Sequence, residues 1–171
     1  FPYTHGQTAD FTLYAQWTGN KYVYNGNTAS GTTSASANYS GSVLTAAANG
    51  FTLPAGYSFV GWCSTQPASV GGSCTGTPYA AGANLPTPAS ATVTLYAVWS
   101  TNTLTVTFNS QGGSSISNGS TTTGGTVSNP GSPTYTGYTF NGWFAASTGG
   151  SAITFPYTHG QTADFTLYAQ W

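Results

Sequence analysis

The chain of 171 residues is almost without charge. Lys21, Asp10 and Asp164 are its whole charged inventory, with no Arg and no Glu. Charged residues make up 2% of the chain, against roughly 25% in ordinary globular domains. A net charge of −1 excludes the clustered Lys and Arg that nucleic-acid binding needs. It also gives an anionic membrane surface nothing to attract. Calcium sites need clustered carboxylates, which two separated Asp residues do not supply. No apolar run approaches the roughly 20 residues of a membrane-spanning helix. Cysteine is nearly absent as well. Cys63 and Cys74 are the only two, and a close pair in a polar, charge-poor chain reads as a disulfide rather than a redox pair or half a metal site.

What is present is apolar and neutral-polar. Hydrophobic residues make up 39% and aromatics 15% of the chain, enough to build cores and unlike the composition of a disordered polymer. Solubility must rest on Ser, Thr, Asn, Gln and Gly. Such a surface responds weakly to pH and salt and offers trypsin-like proteases one cleavage point, Lys21. These features fit exposure outside the cell.

The stretch Phe1–Trp17, FPYTHGQTADFTLYAQW, recurs without a change as Phe155–Trp171. The identity extends to side chains that packing does not restrain, which points to recent duplication or continuing homogenisation in a tandem array. The chain reads as a window onto such an array, opening inside one unit and closing at the end of another. A window of that kind would not include a signal peptide. The expected organisation is residues 1–17 as the terminal strand of a preceding repeat, 18–99 as one complete unit, and 100–171 as a second.

Strand signals recur in one order. KYVYN is followed by a turn at Asn25-Gly26. Leu44–Asn49 reads equally as a short helical turn or as a strand beginning at Val43. GYSFVGW (56–62) sets Tyr57 and Phe59 on one face and Val60 and Trp62 on the other. In TVTLYAVW (92–99), Val93, Leu95, Ala97 and Trp99 line one face. The second unit repeats this as LTVTFNSQGG (104–113), GTVSNPGSP (125–133), GYTFNGW (137–143) and FTLYAQW (165–171). Gly61 and Gly142 stand inside strands, which marks a bulge or a close approach, such as an aromatic ring lying over the glycine. The Cys63–Cys74 loop, when closed, removes about 3 kcal/mol of unfolded-state entropy.

TVTFNSQGG, the Gly-Thr-Val strand, GYTFNGW and TLYAQW together resemble the bacterial cell-surface B-repeat of internalins, the Listeria–Bacteroides repeat. The resemblance covers 104–171 end to end and 18–99 more loosely, because the first strand and the disulfide loop depart from the pattern. It implies small β-grasp-like, ubiquitin-like domains set as beads on extracellular stalks and adhesins, and it implies no catalytic residues. Members are usually rich in Lys, Asp and Glu, so proposals that rely on charged surfaces do not transfer. The fold expected is mainly β, two tandem small β-grasp-like domains, each with a four-stranded mixed or antiparallel sheet and little or no helix. The motif residues are Tyr57, Phe59, Gly61, Trp62, Leu95 and Trp99 in the first unit. In the second they are Tyr138, Phe140, Gly142, Trp143, Leu167 and Trp171. Domains this small bury only about 60% of their surface, so contacts between units matter for stability.

Chemistry-bearing residues are few. His5 and His159 are one repeat position seen twice, as are Asp10 and Asp164. Acid–base catalysis needs two tuned groups brought together, and a metal wants three or four ligands. A solvated turn His, with an Asp closing the loop before the last strand, outweighs a His–Asp dyad or a metal pair. An intramolecular isopeptide bond is disfavoured, since the second unit has no Lys and the chain no Glu. The expectation is no enzyme, no cofactor and no metal. Trp62, Trp99, Trp143 and Trp171 fall at fixed strand positions in both units, which favours packing over sugar stacking. Tyr79, Tyr96, Tyr157 and Tyr168 are the better candidates for glycan contact. Asn38 and Asn118 stand in N-x-S/T sequons, which matter only in a glycosylating host.

Two functions remain. The first is a structural repeat of an extracellular filament, stalk or giant adhesin at the cell surface, partnered by neighbouring copies of itself. The alternative is a glycan- or surface-binding adhesion module. Phe11, Leu13, Tyr14 and Trp17 belong to a closing strand whose own unit is missing here. They are expected to order only by pairing with another unit, by strand addition.

Overall fold

A computed structural model describes residues 6, 8, 10, 12–15, 17–36 and 39–171. His5, Phe11 and Asn38 lie outside these residues. Strands are the regular elements, with no helix among the described residues. The chain is mainly β.

The first unit contains β1 (Lys21–Asn25), β2 (Leu44–Thr45), β3 (Tyr57–Cys63), β4 (Pro78–Tyr79), β5 (Asn84–Leu85) and β6 (Thr92–Thr101). The second contains β7 (Thr103–Asn109), β8 (Gly119–Thr122), β9 (Thr126–Val127), β10 (Gly142–Phe144), β11 (Tyr157–Thr158) and β12 (Phe165–Gln170). Two four-stranded sheets result, in the orders β1-β6-β3-β4 and β10-β12-β7-β8, with two-stranded ribbons β2-β5 and β9-β11 beside them. Both sheets are mixed. The last strand of each unit runs parallel to the first, β6 to β1 and β12 to β7, and antiparallel to the GxW strand, β3 or β10. That topology makes the closing strand central, hydrogen-bonded on both sides.

Alternation decides which residues enter the cores. In β7, Leu104, Val106 and Phe108 are buried and the intervening threonines are exposed, as a strand with one wet face requires. In β6, Leu95, Ala97 and Trp99 are buried. One core gathers Tyr22, Phe51, Trp62, Leu85, Leu95 and Trp99. The other gathers Val106, Phe108, Val127, Trp143, Leu167 and Ala169.

The β3 strand departs from the expected faces. Phe59 pairs with Trp99 and Gly61 with Val98, so one extra residue, Val60, is inserted between them. A bulge of this kind re-aims the side chains beyond it. Tyr57, Phe59 and Trp62 therefore all turn inward, while Val60 stands 58% exposed. The Phe59 and Trp62 rings meet edge-on at 5.0 Å, although Val60 and Trp62 were expected to share a face. The group that crowds Gly61 is the Tyr79 backbone carbonyl, only 2.7 Å from where a Cβ would stand, and not an aromatic ring.

Three further readings are settled locally. Leu44–Thr45 is a strand paired with Asn84–Leu85 and not a helical turn. The GYTFNGW strand is shorter than its sequence implies, since β10 begins only at Gly142. The polar stretch Gly119–Thr122 forms a strand on the β7 edge that no apolar alternation marked. Cys63 and Cys74 form the disulfide, with Cα atoms 5.6 Å apart.

Gly61→Ala is expected to destabilise the first core by about 2 kcal/mol, because backbone and not a flexible side chain occupies the space. Urea denaturation followed by tryptophan fluorescence measures it. An unchanged midpoint would show that the Tyr79 carbonyl yields easily.

Candidate functional site

Among the described residues, no three His, Cys, Asp or Glu side chains gather as a metal site would require. His159 is not a solvated turn residue, as expected from sequence, but 4% exposed. The Gln161 amide donates to its Nδ1 at 3.1 Å. Nε2 therefore carries the proton and faces Thr121 Oγ1 at 3.2 Å; that hydroxyl in turn donates to the Thr126 carbonyl at 3.0 Å. The ring also packs against Phe165, centroids 4.8 Å apart. Both ring nitrogens are used in a neutral, structural imidazole. Asp164 lies just before β12, where one carboxylate oxygen accepts the Thr105 amide at 2.7 Å. It ties the start of β12 to β7.

The tryptophans serve the cores. Trp62, Trp99 and Trp143 are almost fully buried. Each indole N–H reaches a backbone carbonyl: Trp62 to Ala47, Trp99 to Gly26, Trp143 to Gly131 and Trp171 to Ser110. The tyrosines singled out for glycan contact, Tyr79, Tyr96, Tyr157 and Tyr168, are only half-exposed, and Tyr79 and Tyr157 pack against the cores. The open aromatic surface lies elsewhere. Tyr138, read from sequence as a motif strand residue, is 60% exposed and stacks on Tyr135 at 4.4 Å. Together with Gln111, Gln170 and Trp171 they line an open cleft of about 370 Å³. Asn118 of the second sequon is exposed.

The junction between the units is tied by hydrogen bonds. One residue, Asn102, separates β6 from β7. Its amide donates to the Gly56 carbonyl at 2.9 Å, and its carbonyl accepts the Thr123 amide at 3.0 Å. Its side-chain oxygen accepts from Ser58 Oγ at 2.7 Å. Thr123 Oγ1 also donates to the Gly56 carbonyl at 2.7 Å. Residues of the first unit (Gly56, Ser58) and of the second (Thr123) thus converge on one asparagine. Sequence reasoning passed over Asn102, although Asn20 holds the same place three residues after Trp17 and was the signal available.

At the other end, Leu13, Tyr14 and Trp17 are 64%, 85% and 90% exposed. Of their counterparts further along the chain, Leu95, Leu167 and Trp99 are buried to 1% exposure or less, while Tyr96, Tyr168 and Trp171 are half-buried.

Residues 104–170 match the model of the Listeria-Bacteroides repeat domain. A protein of Evansella cellulosilytica whose provisional name is a membrane protein is 29% identical over 171 residues, 96% of this chain and 23% of that protein. Internalin H of Listeria monocytogenes is 37% identical over 79 residues, 46% of this chain and 14% of internalin H. The chain thus spans less than a quarter of the length of these curated relatives. No solved structure matches it.

Burial holds the His159 imidazole below its ordinary 6.5. The unfolded chain therefore takes up a proton that the folded one refuses. The stability this implies is fully present above pH 6.5 and is lost as pH falls through and below that value. Thermal melts from about pH 7 to 5 should show a declining midpoint, flatter in His159→Gln. Equal slopes in the two proteins would remove His159 as the cause.

Proposed function

We propose that the chain is a structural repeat of an extracellular filament, stalk or giant adhesin, acting at the cell surface as a spacer or fibre-forming module. The observation that carries this reading is the unchanged recurrence of Phe1–Trp17 as Phe155–Trp171. The one-residue connection at Asn102, hydrogen-bonded to both units, supports it, because a spacer needs successive units held at a set separation. The partners are neighbouring copies of the repeat. Residues 1–17 close a preceding unit, which accounts for exposed Leu13 and Trp17 where, in the identical sequence, Leu167 is buried and Trp171 half-buried.

A second reading is a glycan- or surface-binding adhesion module. The Tyr135–Tyr138 stack beside two amide side chains favours it, since stacked rings and amides are suited to sugar faces and hydroxyls. Solution scattering and a glycan array on the whole chain separate the two. The spacer reading expects a rigid, elongated particle with no saturable glycan binding. Saturable binding abolished by Tyr138→Ala would replace it with the adhesion module.

A further inference from the structure

The second unit meets the first through one turn and one loop. The turn, residues 122–125, is closed by the Gly125 amide donating to the Thr122 carbonyl at 2.8 Å. From it Thr123 reaches the first unit twice, its amide donating to the Asn102 carbonyl and its hydroxyl to the Gly56 carbonyl. The loop, residues 159–162, lies against this turn. The Gln161 carbonyl accepts the Gly124 amide at 3.3 Å, and the His159 amide donates to the Gly125 carbonyl at 3.2 Å. Thr162 then touches the first unit. A Cβ on Gly56 would stand 3.0 Å from the Thr162 Cβ and 2.6 Å from Thr123 Oγ1. Gly56, at φ +79°, is thus clasped by a threonine from the turn and a threonine from the loop.

The His159 imidazole fastens turn and loop together. Nε2 meets Thr121 Oγ1, two residues before Thr123, and Nδ1 accepts the Gln161 amide, one residue before Thr162. The second contact lasts only while Nδ1 keeps its lone pair. Nε2 already carries a proton, so a proton added to the neutral ring goes to Nδ1. Nδ1–H then faces the Gln161 N–H, donor against donor, and Gln161 must turn away. The Nε2 contact survives, because the imidazolium still donates there. The disturbance therefore falls on the loop: on Gln161, on the Gly124 amide that its carbonyl holds, and on Thr162 against Gly56. The elements around the ring are β8, β9, β11 and β12. β8 and β9 bring the Thr121 hydroxyl and the Thr126 carbonyl. β11 brings Tyr157, its ring centroid 6.3 Å away. β12 brings Phe165, with Tyr168 on its opposite face. Asp164, just before β12, turns one carboxylate oxygen to the Thr105 amide.

We propose that the joint between the two units is acid-sensitive: protonation of His159 frees loop 159–162 from turn 122–125 and loosens the clasp of Thr123 and Thr162 on Gly56. The units are held fixed at neutral pH and pivot about Asn102 in acid. Burial keeps the His159 imidazole below its ordinary 6.5, so the joint is tight above that value and loosens as pH falls below it. His5 occupies the same place in the identical sequence Phe1–Trp17, so a tandem array carries the same group at each recurrence. This response goes beyond the spacer reading and does not depend on it, since the joint is the same whether the repeats space or bind.

NMR titration of the whole chain from about pH 7.5 to 4.5 tests the joint. The ring signals of His159 report its own midpoint, apart from those of His5. The amide signals of Asn102, Thr123 and Gly124 should move with that midpoint, while that of Val106 in β7 should not. Hydrogen exchange, corrected for the intrinsic rate, should show protection at Asn102 and Thr123 falling by about 10-fold across the same midpoint. Protection in β7 should hold, which separates a loosened joint from an unfolding unit. Asp164→Asn should leave the response in place. Junction amides that stay unchanged through the His159 midpoint, follow Asp164, or lose protection only together with β7 would each overturn the joint. None of these outcomes bears on the spacer reading, which the glycan array and scattering at neutral pH decide.

Discussion

Each unit depends on its closing strand, the last in sequence and the central one in space. β6 and β12 are hydrogen-bonded to the first strand on one side and to the GxW strand on the other. At the end of each, a tryptophan indole reaches back to the turn after the first strand, Trp99 to the Gly26 carbonyl and Trp171 to that of Ser110. Those turns share a further device. Asn25 and Asn109 each accept the amide two residues on, and the residues there, Asn27 and Gln111, both take positive φ. Strand, indole and turn lock the two ends of a unit together. Without the closing strand, its two neighbours lose their shared partner. Without the rest of the unit, the closing strand leaves its apolar face in water, the environment of Leu13 and Trp17.

The bulge at Val60 follows from packing a large indole beside a second aromatic. With regular alternation, Phe59 and Trp62 would project from opposite faces. One inserted residue brings both into the core, where Trp62 also contacts Tyr24 and Phe51. Its indole N–H finds the Ala47 carbonyl, so the ring is buried without an unsatisfied donor. The second unit reaches a similar end, with Trp143 set between Phe108 and Phe140 and donating to the Gly131 carbonyl.

Scarcity of charge shapes how parts are joined. Where other proteins place ion pairs, this chain uses amides, hydroxyls and carbonyls. The junction at Asn102, the relay from Gln161 through His159 and Thr121 to Thr126, and the bonds from Gln111 to the Ser147 and Ala169 carbonyls are all neutral. Such contacts are little affected by salt, which screens charges. The buried imidazole is the exception in its response to acid. A histidine in a repeat can look like a reactive group on paper and still be a structural hydrogen-bonding element once its two nitrogens are followed to their partners.

The sequence by itself determined the repeat, the strands with clear alternation and the role of the cysteines. Those features are local. Leu104, Val106 and Phe108 declare a buried face whatever they pack against, and two cysteines eleven residues apart have few other uses in a polar chain. Tertiary structure decided everything that depends on a partner distant in sequence. It set the face of Trp62, because the bulge is defined only against β6. It made a strand of Gly119–Thr122, whose pairing comes from the edge of β7 and not from its own side chains. It buried His159 beneath Phe165, and it made Asn102 the joint between units.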